Sequence, residues 1–202
     1  MRLRLETPAG RRSRVAPDKE QIVTNDLAAR NRPNHTPGTM IPADFNPHRK
    51  LDGRAQAQAV LDETIGQSSK FIRIFDDRGE FYGFERVSFS QALGHFLTQD
   101  RQAQAIIVVH DIAYIEKYCP RVNRIARRFS PQLKVFLTDE AIRGFPRGMV
   151  IADHGVLMIR PHFGQSATFV DYDEKSVSNA LGVFAEITQL SQLALSGTST
   201  GL

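Results

Sequence analysis

The sequence predicts an α/β domain, a mixed β-sheet flanked by helices, on three observations. Short β-branched or aromatic runs alternate with stretches whose apolar residues recur at helical spacing. FIRIF (71–75) alternates β-branched and aromatic residues as a strand does, and AIIVV (105–109) has the continuous apolar character of a strand buried on both faces. The strand-like runs stop at polar turns, Asp76-Asp77, His110-Asp111 and Thr138-Asp139, each followed by a new pattern.

Taken in order, residues 53–66 place Ala55, Ala59, Val60 and Ile65 near one helical face and close on Gly66, which predicts a helix with a glycine cap. FIRIF follows as a strand. Phe89, Leu93, Phe96 and Leu97 then recur at helical spacing, so the segment from Ser88 is a helix packed on one side. After AIIVV a long helix is expected over about 112–129, kinked or restarted at Pro120, because proline removes a backbone donor and clashes with the preceding turn. LKVFL (133–137) is the next strand. MVIA (149–152) and VLMI (156–159) flank Asp153-His154-Gly155, whose glycine can take positive φ, so the pair reads as a hairpin. ATFVDY (167–172) is a further strand. Val177, Ala180, Leu181, Phe184, Ile187 and Leu190 stripe a last helix expected over Ser176–Ser196.

Composition limits the function classes. With 202 residues, 41% hydrophobic and 24% charged, the chain is neither a fibre nor wholly disordered. No apolar run approaches the roughly 18 residues of a membrane span, and the start MRLRLETPAGRRSR lacks the apolar core of a signal peptide. A soluble, cytoplasmic protein is expected. The lone Cys119 and six scattered histidines give no zinc-ligand spacing, so no metal is expected. Neither a phosphate-cradling glycine loop nor a Gly-x-Ser-x-Gly elbow occurs, and no cofactor is expected.

Charge is unevenly placed. Residues 1–50 hold ten Lys or Arg against five Asp or Glu, a net +5, while the remaining 152 sum to −1. Up to about Asn46 the chain is rich in Pro, Arg, Asn and Thr and lacks periodic apolar residues, so residues 1–48 read as a disordered basic extension with a short helix at Lys19–Ala29. Residues 49–202 form the expected folded domain. There are no internal repeats.

The element order, together with VVHD (108–111), RIARRFSPQLKVFLTD (124–139) and the hairpin VIADHGVLMIRP (150–161), resembles the phospholipase D-like fold over roughly residues 50–195. The likeness is to one half of that duplicated enzyme, and especially to a bacterial group, sometimes fused behind an acetyltransferase, that keeps the fold without the catalytic motif. In active members a histidine lies seven residues and a lysine five residues before a motif aspartate. The histidine attacks phosphorus, a second histidine from the partner half protonates the leaving group, and lysines hold the phosphate oxygens. Asp153 matches the aspartate, but Pro146 and Gly148 stand at the other two positions. Proline offers no nucleophile and glycine no charge, so the resemblance implies a catalytically silent domain. It also implies a homodimer, because half-size members pair through the motif face. A phosphodiesterase or nuclease with a degenerate site, or an accessory module of an acetyltransferase, is the alternative.

Two groups of residues are candidates for binding. His110, Asp111, Asp153, His154 and His162 are a possible cleft near strand ends, where histidines suit proton transfer and carboxylates suit cations. The competing reading makes Asp76, Asp111 and Asp139 helix or turn caps. In PRVNRIARRF, Val122, Ile125 and Phe129 share one helical face while Arg121, Arg124 and Arg128 share another, with Arg127 at its margin. Such a row suits bidentate contact with phosphates, nucleic acid included, and another protein is the second possible partner. Its plain alternative is a solvated face whose arginines pair with nearby acids such as Glu116.

Overall fold

The computed structural model of the chain describes residues 48–195. The expected basic extension and its helix at Lys19–Ala29 lie outside the described residues. Among those described, eight strands form one mixed sheet: β1 (Arg49–Leu51), β2 (Phe71–Asp76), β3 (Gln104–Val109), β4 (Leu133–Thr138), β5 (Gly148–Ala152), β6 (Val156–Arg160), β7 (Thr168–Asp171) and β8 (Ser191–Leu195). Their order across the sheet is β1-β7-β6-β5-β2-β3-β4-β8. The trio β2, β3 and β4 is parallel, and every other pairing is antiparallel.

Helices α1 (Arg54–Gln67), α2 (Val87–Gln99), α3 (Ala113–Tyr118) and α4 (Pro120–Arg128) cover one face, over a core that includes Ile72, Ile74, Phe89, Phe96, Ile107 and Val135. The opposite face, with Phe75, Val108, Ile151 and Leu157, is covered by α5 (Glu174–Gln189) through Val177, Phe184 and Ile187. Strands buried on both sides explain why β3, β5 and β6 read as nearly continuous apolar runs.

Several expectations are corrected. The buried face of α1 is Ala57, Leu61, Thr64 and Ile65, while Ala55 and Ala59 face solvent. Alanine discriminates poorly between the two sides of a helix, and the larger Leu61 decides the face. Gly66 lies inside α1, which ends at Ser68 in extended backbone. The helix expected over 112–129 is two helices meeting at Cys119, with Pro120 opening the second where its missing N–H costs nothing. The carboxamide of Asn123 donates to the carbonyls of Ile115 and Glu116 at the end of the first helix, where the Cys119 amide also donates to Ile115.

The last helix stops at Leu190 instead of Ser196, and the chain turns back as β8, closing the edge of β4. β1 has no counterpart in the order expected from sequence. It is three residues long with two charged side chains, and only Leu51 is buried. The hairpin is as expected, with Gly155 at φ 79°.

Candidate functional site

The carboxyl ends of the parallel strands, the start of β5 and the end of β6 meet along one edge of the domain. Hairpin register sets Gly148 opposite Arg160, one step beyond the pairing of Met149 with Phe75. Arg160 therefore arrives beside Asp76, the last residue of β2. Its guanidinium lies 3.4 Å from Asp76 Oδ1, donates to the carbonyls of Gln165 and Phe163, and stacks 3.7 Å over the Phe81 ring. Asp76 Oδ2 accepts from the Gly79 amide at 2.8 Å. Both side chains are buried. Burial pushes the Asp76 carboxyl up to about 6, opposed by Arg160 and by the amides of Gly79 and Asp77.

Gly148, at the position the sequence resemblance gives to a lysine, has little room for a side chain. A Cβ there would lie 3.2 Å from the Phe75 carbonyl oxygen, 3.3 Å from the Phe163 ring and 3.4 Å from Asp76 Oδ1. The space is filled by the neighbours of the Asp76–Arg160 pair.

His110 closes the next strand end. Nε2 is 2.9 Å from the Phe145 carbonyl oxygen, which can only accept, so Nε2 donates there, while Nδ1 shares a 2.7 Å hydrogen bond with the Thr138 hydroxyl. Phe75 and Phe163 meet its ring edge to face. His110 thus ties β3, β4 and the loop before β5 together. A groove of about 620 Å³ opens above it, lined by Asp77, His110, Asp111, Arg143, Pro146 and His162 among others. Asp111 caps α3 by accepting from the Ala113 amide, Asp139 accepts from the Glu140 amide, and His162 Nδ1 accepts from the Gly164 amide. The acids at the strand ends thus act as caps or turn ties, and among the described residues no three His, Cys, Asp or Glu side chains are placed to hold a metal ion.

Asp153 and His154 do not join this cleft. β5 runs antiparallel to β2, so the hairpin turn sits at the opposite end of the sheet, about 17 Å away by the rise of a five-residue strand. There Asp153 accepts from the amides of Ser69 and Lys70 and from the Ser69 hydroxyl. Burial raises its carboxyl, but these donors outweigh it and hold the group below the usual carboxylate range. Asp153→Ala is expected to cost about 2 kcal/mol in urea unfolding at pH 7, the worth of hydrogen bonds to a charged acceptor. Because the folded state holds this proton less tightly than the unfolded chain, the stabilisation is present above about pH 4 and fades as pH falls below it. The gap between wild type and variant narrows there.

On α4, Val122 and Ala126 are buried with Ile125 and Phe129 packed behind them, while Arg121, Arg124, Arg127 and Arg128 are exposed. The expected pairing with Glu116 is absent. Among the described residues these four guanidiniums make no ion pair, and Arg128 lies 5.2 Å over the Phe129 ring. Arg124 and Arg128 border a second groove, about 370 Å³, whose other wall is α2 with Gln91, Gly94, His95 and Thr98.

Sequence reasoning missed Arg160 as the centre of the first site and His95 as part of the second. Arg160 was legible in principle, since a hairpin turning at 153–155 pairs 148 with 160. His95 needed the packing of α2 on α4.

The family model for a domain of unknown function, DUF7931, matches residues 53–191. The chain belongs to the DUF7931 family. No curated protein matches its sequence. In structure, this DUF7931 chain is similar to TrmBL2, an archaeal chromatin protein described as showing a novel mode of DNA binding, with TM-score 0.56 and 13% identity over 77% of this chain; it spans 57% of that protein's length. It is also similar to Nuc, a phospholipase D family member from Salmonella typhimurium (TM-score 0.54, 13% identity, 73% of this chain and 99% of Nuc). A phosphatidylserine synthase from Haemophilus influenzae Rd KW20 gives TM-score 0.53 and 14% identity over 76% of this chain and 40% of the synthase. The DUF7931 domain has the phospholipase D-like fold. No helix among its described residues is long and apolar enough to cross a membrane.

Proposed function

We propose that this DUF7931 domain is a non-catalytic, phospholipase D-like binding module that takes phosphate-bearing ligands, nucleic acid in particular, on the arginine face of α4. The observation that carries the reading is the set of four exposed guanidiniums on one short helix with no carboxylate partner among the described residues. Exposed arginines that no acid neutralises are free to exchange counterions for phosphates. The similarity to a chromatin protein whose structure shows a mode of DNA binding supports the same class of ligand.

The absence of catalysis rests on the other site. Pro146 and Gly148 stand where the family resemblance calls for a nucleophile and a phosphate-holding lysine. Both ring nitrogens of His110 are engaged, and Arg160 is committed to Asp76 and two carbonyls. We read the domain as cytoplasmic and as a homodimer paired through the strand-end face, by analogy with half-size members of the fold.

The test is binding of the full chain to labelled DNA across a salt series, beside Arg121→Ala/Arg124→Ala/Arg128→Ala. The expected result is that the slope of log K against log salt becomes shallower by about three in the variant, close to one for each phosphate that an arginine no longer neutralises. An unchanged slope, or no binding by wild type at low salt, overturns the reading. Turnover of a phosphodiester by the purified protein overturns its non-catalytic part.

A further inference from the structure

We infer that the groove between α2 and α4 is a subsite for a single nucleic-acid strand, with phosphates on Arg124 and Arg128 and a base lodged between the helices. The inference rests on the proposed binding role of α4 and adds to it the form of the ligand. The two walls differ in chemistry. Arg124 and Arg128, four residues apart, stand about 6 Å from each other along the helix axis and form a cationic rail on one side. Across from them α2 presents Gln91, His95 and Thr98, at spacings of four and three residues on one helical face. All three are exposed, and the side chains of Gln91 and His95 make no hydrogen bond among the described residues. Between the walls lie the apolar atoms of Ile125 and Phe129.

A cationic rail, an apolar floor and a wall of hydrogen-bond donors and acceptors match the three parts of a nucleotide in an unpaired strand: phosphate, base face and base edge. A duplex keeps its bases stacked inside and could use only the rail. Residue 94, in the α2 wall of this groove, is glycine. A Cβ there would meet a single neighbour, the Ile125 Cδ1 atom at an ordinary 3.9 Å, so nothing in the packing of α2 on α4 requires glycine. Its missing side chain leaves the floor open, although glycine is a poor helix former in the interior of α2.

The decisive variant is Gly94→Leu, which fills the floor and leaves every arginine in place. Binding of the full chain to a single-stranded oligothymidylate and to a duplex of the same length is measured by fluorescence anisotropy at one salt concentration, with thermal melts of each protein. Wild type is expected to prefer the single strand at least tenfold. Gly94→Leu is expected to lose about tenfold for the single strand, keep its duplex affinity, and melt no lower than wild type. Gln91→Leu, at an exposed position, removes a hydrogen-bonding amide from the rim of the same groove and gives a second reading if Gly94→Leu disturbs the fold. Arg124→Ala/Arg128→Ala is expected to weaken both ligands. Unchanged single-strand binding in both groove variants, with weaker binding in the arginine variant, overturns the groove and leaves the arginine face standing. Unchanged binding in all of them, or no binding by wild type, overturns both.

Discussion

Arg160→Met is expected to lower stability by about 3 kcal/mol at pH 7.5 in urea unfolding, and by much less at pH 5. Removing one partner of a buried ion pair leaves the other charge uncompensated, which is the costly way to break it. Here the survivor would be Asp76, fully buried, and the carbonyls of Phe163 and Gln165 would lose their donors as well. The pH dependence follows from the direction in which Asp76 is shifted. Its folded-state value of about 6 lies above the ordinary 3.8, so the folded chain binds this proton more tightly than the unfolded chain does. The stability tied to that proton is fully present below about pH 4 and is lost as pH rises toward 6, roughly 3 kcal/mol in all. Removing Arg160 takes away the attraction that holds the carboxylate down and shifts Asp76 further up. Acidification then neutralises the orphaned charge and removes most of the penalty. A penalty equal at both pH values would mean that Asp76 is not the group left stranded.

Gly79→Ala is expected to destabilise by about 3 kcal/mol at pH 7, by the same measurement. Gly79 sits at φ 84°, where an L residue is strained by roughly 1 to 2 kcal/mol. A Cβ would also fall 2.2 Å from Cδ2 of Phe84, in hard overlap with the edge of its ring. Phe84 cannot step aside cheaply, because it is buried and stacked on Phe89 at 4.5 Å. The same glycine supplies the amide that holds Asp76, so the variant also loosens the turn that positions the carboxylate. A destabilisation below about 1 kcal/mol would show that the loop over Phe84 relaxes freely, since the backbone strain alone is worth at least that much.

Much of the fold was legible because its strands are buried on both faces and its hairpin turns on a glycine. Phe71–Asp76, Gln104–Val109 and Leu133–Thr138 announce themselves through β-branched runs ended by polar residues. The edge strands do not. Arg49–Leu51 carries two charges in three residues, and Ser191–Leu195 is an uncharged run in which leucines fit a helix as well as a strand. Only the unpaired edge of Leu133–Thr138 decides between them.

The candidate cleft was half legible. His110, Asp111 and His162 follow from being next to strand ends. Counting along a motif groups Asp153 and His154 with them, but a strand lies between residues 148 and 153 and carries the turn to the far end of the sheet. The arginine face was visible from helical spacing alone. Its lack of acidic partners was not, because pairing depends on which side chains the neighbouring helices present.

The strand order also bears on how the domain comes together during synthesis. Leu51 pairs with Thr168, and Thr138 pairs with Ser191, so both edges of the sheet wait for residues made late. The parallel trio can align once residue 138 is available, but the helix that covers its second face begins at Glu174. Until then Phe75, Val108 and Ile151 have no cover. Contacts of such long sequence separation slow folding, and the nascent chain therefore carries an open apolar sheet face until α5 has emerged from the ribosome.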